Sequence, residues 1–140
     1  MRIIALIVLG AVLAQMPASF AAGAAKRDEC AAGSQAEMRR CLEKTSLASA
    51  ATLAAAEKAA LSALSRWDED DKYRQAAAAA LNKLSKSFSG FRQVQCDFVS
   101  ALGGGAIGNA LALRRLRCIS DLNQRQAEML RLATSDLPEK

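Results

Sequence analysis

Tyr73–Leu102, YRQAAAAALNKLSKSFSGFRQVQCDFVSAL, is the stretch whose reading decides the fold class. Ala77, Leu81, Leu84, Phe88, Phe91, Gln95, Phe98 and Leu102 follow one another in steps of four or three, which keeps side chains on one stripe of an α-helix. Three of the chain's four phenylalanines lie on that stripe, so it is expected to face a core, with Cys96 beside it. Gly90 interrupts the helix; an interior glycine costs up to about 1 kcal/mol relative to alanine, which implies a slight bend or the close approach of another backbone.

Working outward, Ser34 with Glu37 three residues later is the signature of a capping box and predicts a helix from about Gln35 to Ser65 or Arg66. Met38, Cys41, Leu42, Thr45, Leu53, Ala56, Ala60 and Leu64 supply its inner face. Alanine favours helix but buries little area, so this helix is expected to pack closely while contributing modestly. Trp67 and the run Asp68-Glu69-Asp70-Asp71 separate it from the helix of the opening stretch, about Asp71 to Leu102. Four acids in succession raise a binding or metal hypothesis, but no calcium-loop spacing is present, and closing one helix while placing negative charge at the N-terminus of the next accounts for them. Gly103-Gly104-Gly105, with Gly108, ends the second helix; without a preceding strand or a Lys-Ser/Thr pair, these glycines do not make a phosphate loop. A third helix is expected from about Asn109 to Ala133, with Leu111, Cys118, Leu122 and Met129 inward, widened by Leu116 and Ile119. Arg114, Arg115 and Arg117 would then form an exposed basic flank, and residues 134–140 a flexible tail. The fold class is therefore all-α, an antiparallel bundle of three long helices, or four if one of them breaks.

The N-terminus differs in kind. Met1-Arg2, the apolar run Ile3–Ala14 and Ser19-Phe20-Ala21 match a signal peptide over residues 1–21, with cleavage as late as 24 also compatible. The apolar run is shorter than the roughly 20 residues that span a bilayer, so no transmembrane anchor is expected. Cys30 follows Arg27-Asp28-Glu29 rather than a small-residue cleavage site, which argues against a lipid anchor. Loss of Arg2 with the leader would lower the formal charge from +5 to +4. That balance weakly favours anionic surfaces, and in an envelope compartment these would be wall polymer or lipid headgroups rather than nucleic acid. Histidine is absent, which removes the usual general base near neutral pH and the commonest metal ligand.

Four cysteines, Cys30, Cys41, Cys96 and Cys118, in a chain bound for an oxidising compartment imply two disulfides; no C-x-x-C spacing suggests a zinc or redox site. With three antiparallel helices, the start of the first, the end of the second and the start of the third share one end of the bundle, and all four cysteines lie near it. Depth along the helix axes favours Cys30–Cys96 with Cys41–Cys118; Cys41–Cys96 with Cys30–Cys118 is the alternative.

An early cysteine, Met38-Arg39-Arg40-Cys41, Phe88-x-x-Phe91-Arg92-x-x-x-Cys96, the glycine break and Cys118 followed by Asn123-Gln124-Arg125 resemble the small exported domain named after the lysozyme inhibitor LprI. The likeness covers about residues 30–133. It implies a helical, disulfide-bonded envelope domain and, from the namesake, binding and inhibition of lysozyme. The chain departs from the family pattern at Phe88, where members usually carry Trp, at Ser85, and in the alanine-rich middle of the first helix.

No paired carboxylate, nucleophile–base or cofactor motif is apparent, so the expected function is non-catalytic, with no cofactor and no metal. The expected partner is lysozyme or another envelope protein, met through Asp68, Glu69, Asp70 and Asp71. The alternative is a structural or stress-related role in which Arg114, Arg115 and Arg117 bind anionic wall polymer or lipid.

Overall fold

The computed structural model describes residues 30–31, 33–106 and 108–140. The signal-peptide segment lies outside them. Three helices make up the described fold: α1 (Gln35–Arg66), α2 (Asp71–Ala101) and α3 (Ala110–Thr134). They form an all-α bundle with no break into a fourth helix among the described residues. Helices α1 and α3 run parallel and share the most extensive contact, and α2 lies antiparallel to both.

The start of α1 follows from its sequence. Ser34 Oγ accepts from the Glu37 amide at 3.3 Å, and the Glu37 carboxylate accepts from the Ser34 amide at 2.7 Å and from its hydroxyl at 2.8 Å. Gly33, at φ 115°, reverses the preceding chain in a backbone conformation that a side chain would strain. The expected inner face holds: Leu42, Leu53, Ala56, Ala60 and Leu64 are buried, with Met38 and Cys41 partly covered. Leu53, Ala56, Ala60 and Leu64 join Leu81, Phe88, Ala127 and Leu130 in the main core. Cys30, Leu42 and Leu113 close the end where the cysteines gather. The alanines make α1 long and apolar enough, by composition, to cross a membrane, but its inner face packs on its neighbours.

The stripe expected to face the core from α2 splits in two. Leu81 and Phe88 are buried, whereas Leu84, Phe91, Phe98 and Leu102 are exposed. Cys96 explains the difference. It is fully buried and bonded to α3. At about 100° of rotation per residue, Phe98 points almost opposite to Cys96, and Phe91 and Leu84 stand more than a quarter turn from it. A 3.5-residue repeat spreads over two columns of a 3.6-residue helix, and the disulfide selects one column for the interior. Helix α3 shows a related shift. Its buried positions are Leu113, Ser120, Asn123, Ala127 and Leu130, which face α1. The expected face through Leu111, Cys118, Leu122 and Met129 is the side turned toward α2 and is only partly covered, with Met129 exposed.

The cysteine pairing also differs from expectation: Cys30 bonds Cys41, and Cys96 bonds Cys118, in place of either Cys30–Cys96 with Cys41–Cys118 or Cys41–Cys96 with Cys30–Cys118. Depth along the axis is a poor guide because direction around the axis decides which thiols meet. The turn at Gly33 folds the lead-in back along α1, bringing the Cα of Cys30 within 5.6 Å of that of Cys41. Antiparallel register between α2 and α3 sets the Cα atoms of Cys96 and Cys118 5.5 Å apart. The connection between these helices turns through Gly104 and Gly108, both at positive φ, and a Cβ on Gly103 would collide with Leu111 of α3. Of the flexible tail expected over residues 134–140, Thr134 ends α3 and residues 135–140 return to the α1–α2 turn, where the Asp68 amide donates to Pro138 O at 2.8 Å and the Lys140 amide to Arg66 O at 3.2 Å.

Peptide mapping without reduction should recover the Cys30–Cys41 and Cys96–Cys118 links. The paired Cys96→Ala and Cys118→Ala change, which opens a loop with a sequence separation of 22, should cost about 3 kcal/mol in denaturant unfolding. The hydrogen bonds from the Ser34 amide and hydroxyl hold the Glu37 carboxyl below its ordinary 4.5. A depressed folded pKa stabilises above the unfolded value, so this contribution should be complete above 4.5 and lost as pH falls through the lowered folded value. Glu37→Gln should remove that step from the pH dependence of stability.

Candidate functional site

The α1–α2 turn carries the acidic run on a rigid base. Trp67 caps α1, packs against the main core together with Leu137, and pairs with Glu139 in an isolated antiparallel bridge. The Arg74 guanidinium donates to Trp67 O at 3.3 Å and Glu69 O at 3.0 Å and pairs with the Asp71 carboxylate. Arg66 reaches Glu139 across the turn at 3.1 Å. These bonds fix the backbone while the Asp68, Glu69 and Asp70 side chains stay exposed and outside any ion pair among the described residues. Asp70 occupies the N-cap of α2 without a side-chain cap bond, and Asp71 lies in the first turn, where the helix dipole favours negative charge. Asp136 and Glu139 on the returning tail enlarge the same acidic end.

The expected basic flank is dispersed. At about 100° per residue, Arg114, Arg115 and Arg117 cannot share one face of α3. Arg115 binds Asp97 of α2 at 2.7 Å, and the half-buried Arg117 lies 3.6 Å from the sulfur of Met38. Arg114 is exposed, and with Arg117 and Arg125 it borders a shallow cleft of about 490 Å³ that also takes in Gln95, Val99 and Asp121. Asp71 and Asp97 are 26 positions apart on one helix, about 39 Å at 1.5 Å per residue. The acidic turn and the arginines therefore occupy opposite ends of the molecule.

A third polar group was not legible as a unit in the sequence. Asn123, fully buried on α3, donates from Nδ2 to Ser49 Oγ of α1 at 2.9 Å and accepts at Oδ1 from Arg92 of α2 at 2.5 Å. The Ser49 hydroxyl in turn donates to Ser46 O at 2.7 Å, and the Arg92 guanidinium also lies over the Phe88 ring, 5.6 Å from its centroid. One amide thus ties all three helices together. Among the described residues, no buried side-chain nitrogen or oxygen lacks a partner, so this cluster is a closed clasp rather than an open binding site. Arg92 and Asn123 belong to the sequence runs noted above, but nothing in their spacing shows that they meet; Ser49, inside an alanine-rich stretch, gives no signal beyond its place four residues before Leu53.

Asn123→Ala should cost about 2–3 kcal/mol, because it strands polar partners on two other helices, whereas Ser49→Ala should cost about 1 kcal/mol. Urea unfolding of the oxidised protein checks both. Equal, near-zero effects would contradict a clasp.

No curated protein and no solved structure matches the chain. The family model described as "Lysozyme inhibitor LprI" matches residues 26–130. That span holds both disulfides, the Arg92–Asn123–Ser49 clasp and the acidic turn, and it ends before the returning tail. With three-quarters of its length matched, the chain belongs to the lysozyme inhibitor LprI family.

Proposed function

We propose that the protein is an exported, non-catalytic envelope protein that binds and inhibits lysozyme, and that its acidic end makes the contact. Family membership over residues 26–130 carries the inhibitor reading. The leader-like sequence of residues 1–21 and two disulfides in so short a chain support export.

Electrostatics supports the choice of surface. Lysozymes are commonly strongly basic, and this chain carries a formal charge of +5, or +4 after loss of the leader's arginine. Between two cations, only an approach led by a local negative patch is favourable. At physiological ionic strength the screening length is about 8 Å, far less than the separation of about 39 Å between the acidic turn and Asp97–Arg115 at the other end. A basic partner docking at the turn therefore meets Asp68, Glu69 and Asp70, with Arg66 and Arg74 engaged by Glu139 and Asp71 and with Lys72 and Lys140 alongside, and is shielded from the distant Arg115. Their fixed backbone lowers the ordering cost of such a contact.

An assay of lysozyme activity with the purified oxidised protein tests the reading. Inhibition is expected, and it should weaken as salt rises. The triple change Asp68→Asn, Glu69→Gln and Asp70→Asn should weaken it roughly tenfold or more, mainly through slower association. The fold should be unaffected, since these carboxylates make no ion pairs among the described residues and the one hydrogen bond, from the Asp70 amide to Glu69 Oε1 at 3.0 Å, can be kept by glutamine's carbonyl oxygen. No inhibition at micromolar excess would remove the inhibitor function, and full inhibition by the triple variant would remove the acidic end as its surface.

A further inference from the structure

Helix α2 presents a second face that the described residues leave largely exposed. Leu84, Phe91, Val94 and Phe98 are 45%, 54%, 70% and 57% exposed. Leu84, Phe91 and Phe98 recur every seven residues, and Ser87, Val94 and Ala101 form the neighbouring column, the spacing of a seam between two packed helices. Beside it, Leu84, Phe88 and Phe91 border an apolar groove of about 380 Å³ against Leu122 and Met129 of α3.

Two further observations identify what fits this seam. Gly90 lies inside α2, and a Cβ placed there would meet no atom within 4 Å, so packing within the chain gives no reason for the glycine. A second backbone crossing at that point would. Lys83, Gly90 and Asp97 also stand seven residues apart in one column along the edge of the seam. A two-fold axis beside Gly90 sets Lys83 of each copy opposite Asp97 of the other. Lys83 has no ion-pair partner among the described residues. Asp97 is bonded to Arg115 through one oxygen, yet its side chain remains 54% exposed.

We propose that this face of α2 is a homodimer seam, in which two copies cross antiparallel about a two-fold axis at Gly90. Such an interface is isologous: the same apolar columns and the same lysine–aspartate pairs serve both chains. Two crossing helices lie at the small end of interface sizes, about 1,200 Å² or less, so the dimer forms with rising concentration. Its seam leaves both acidic turns open, one at each pole.

Sedimentation equilibrium of the oxidised protein, from micromolar to near-millimolar concentration, tests this. The apparent mass should rise from one chain to two. Phe91→Asp and Gly90→Leu should each weaken association at least tenfold while circular dichroism shows undiminished helix, since a Cβ at position 90 meets no atom within 4 Å and more than half of Phe91 is exposed. Lys83→Glu should weaken it as well, and adding Asp97→Lys to that change should restore it in part. A chain that stays monomeric throughout, or a Gly90→Leu variant that associates as tightly as the wild type, would overturn the proposal. A monomer whose Phe91→Asp variant loses binding to lysozyme or to anionic vesicles would also overturn it and assign the face to that partner.

Discussion

Asn123 is the point on which the three helices depend. Helix α1 is rich in alanine, and alanine–alanine packing removes little apolar area from water. The core contains Leu53, Leu64, Leu81, Phe88 and Leu130 but few other large side chains. A bundle so lightly filled has several rotations and registers of similar energy. A buried amide that must satisfy Ser49 on one side and Arg92 on the other removes most of them, because any slip strands polar atoms away from water. The Cys96–Cys118 bond, about one turn from Arg92 along α2, holds the same phase covalently. Clasp and disulfide together decide which column of α2 turns inward.

That choice has a consequence at the surface. With Cys96, Arg92 and Phe88 directed inward, Phe91, Val94 and Phe98 are left outward. Of the residues that carry the family resemblance, Phe88, Arg92, Cys96, Cys118 and Asn123 hold the bundle together, while Phe91 and Arg125 are exposed. The largest exposed acidic and apolar groups among the described residues lie elsewhere, on the acidic turn at one end and on the outer face of α2. The acidic turn is positioned by Arg74, which also pairs with Asp71, and by the returning tail, while the carboxylates of Asp68, Glu69 and Asp70 remain outside any ion pair among the described residues. Among the described residues every buried side-chain nitrogen and oxygen is satisfied, and the backbone under the acidic turn is held by hydrogen bonds, so the scaffold presents these carboxylates on a fixed frame.

Much of the architecture was legible in the residues. The capping box located the start of α1 at Gln35, the glycine run located the end of α2, and the inner face of α1 follows the spacing of Leu42, Leu53, Ala56, Ala60 and Leu64. Rotation was not legible. Leu84 and Leu81 are equally apolar, and only the partner of Cys96 distinguishes them. The cysteine pairing failed for the same reason, since depth along an axis carries no information about direction around it, and nothing before Ser34 announced that the chain turns back at Gly33. Among the candidate site residues, the acids were found together because they are adjacent in sequence. Arg114, Arg115 and Arg117 are adjacent too, but a helix disperses neighbours around its circumference, and Asp97, which holds Arg115, lies 18 residues away. Asn123 was visible as part of a run and invisible as a core residue, because its partners come from two other helices.

In the proposed division of labour, Phe88, Arg92, Cys96 and Asn123 hold the fold and the acidic end meets lysozyme. Amide chemical-shift mapping of the oxidised protein during titration with lysozyme tests this most directly. Shifts should concentrate at Asp68 to Asp71 and at Asp136, Leu137 and Glu139, with the Asn123 side-chain amide unmoved. Shifts centred on Arg92 and Asn123, or no shifts at saturating enzyme, would contradict it.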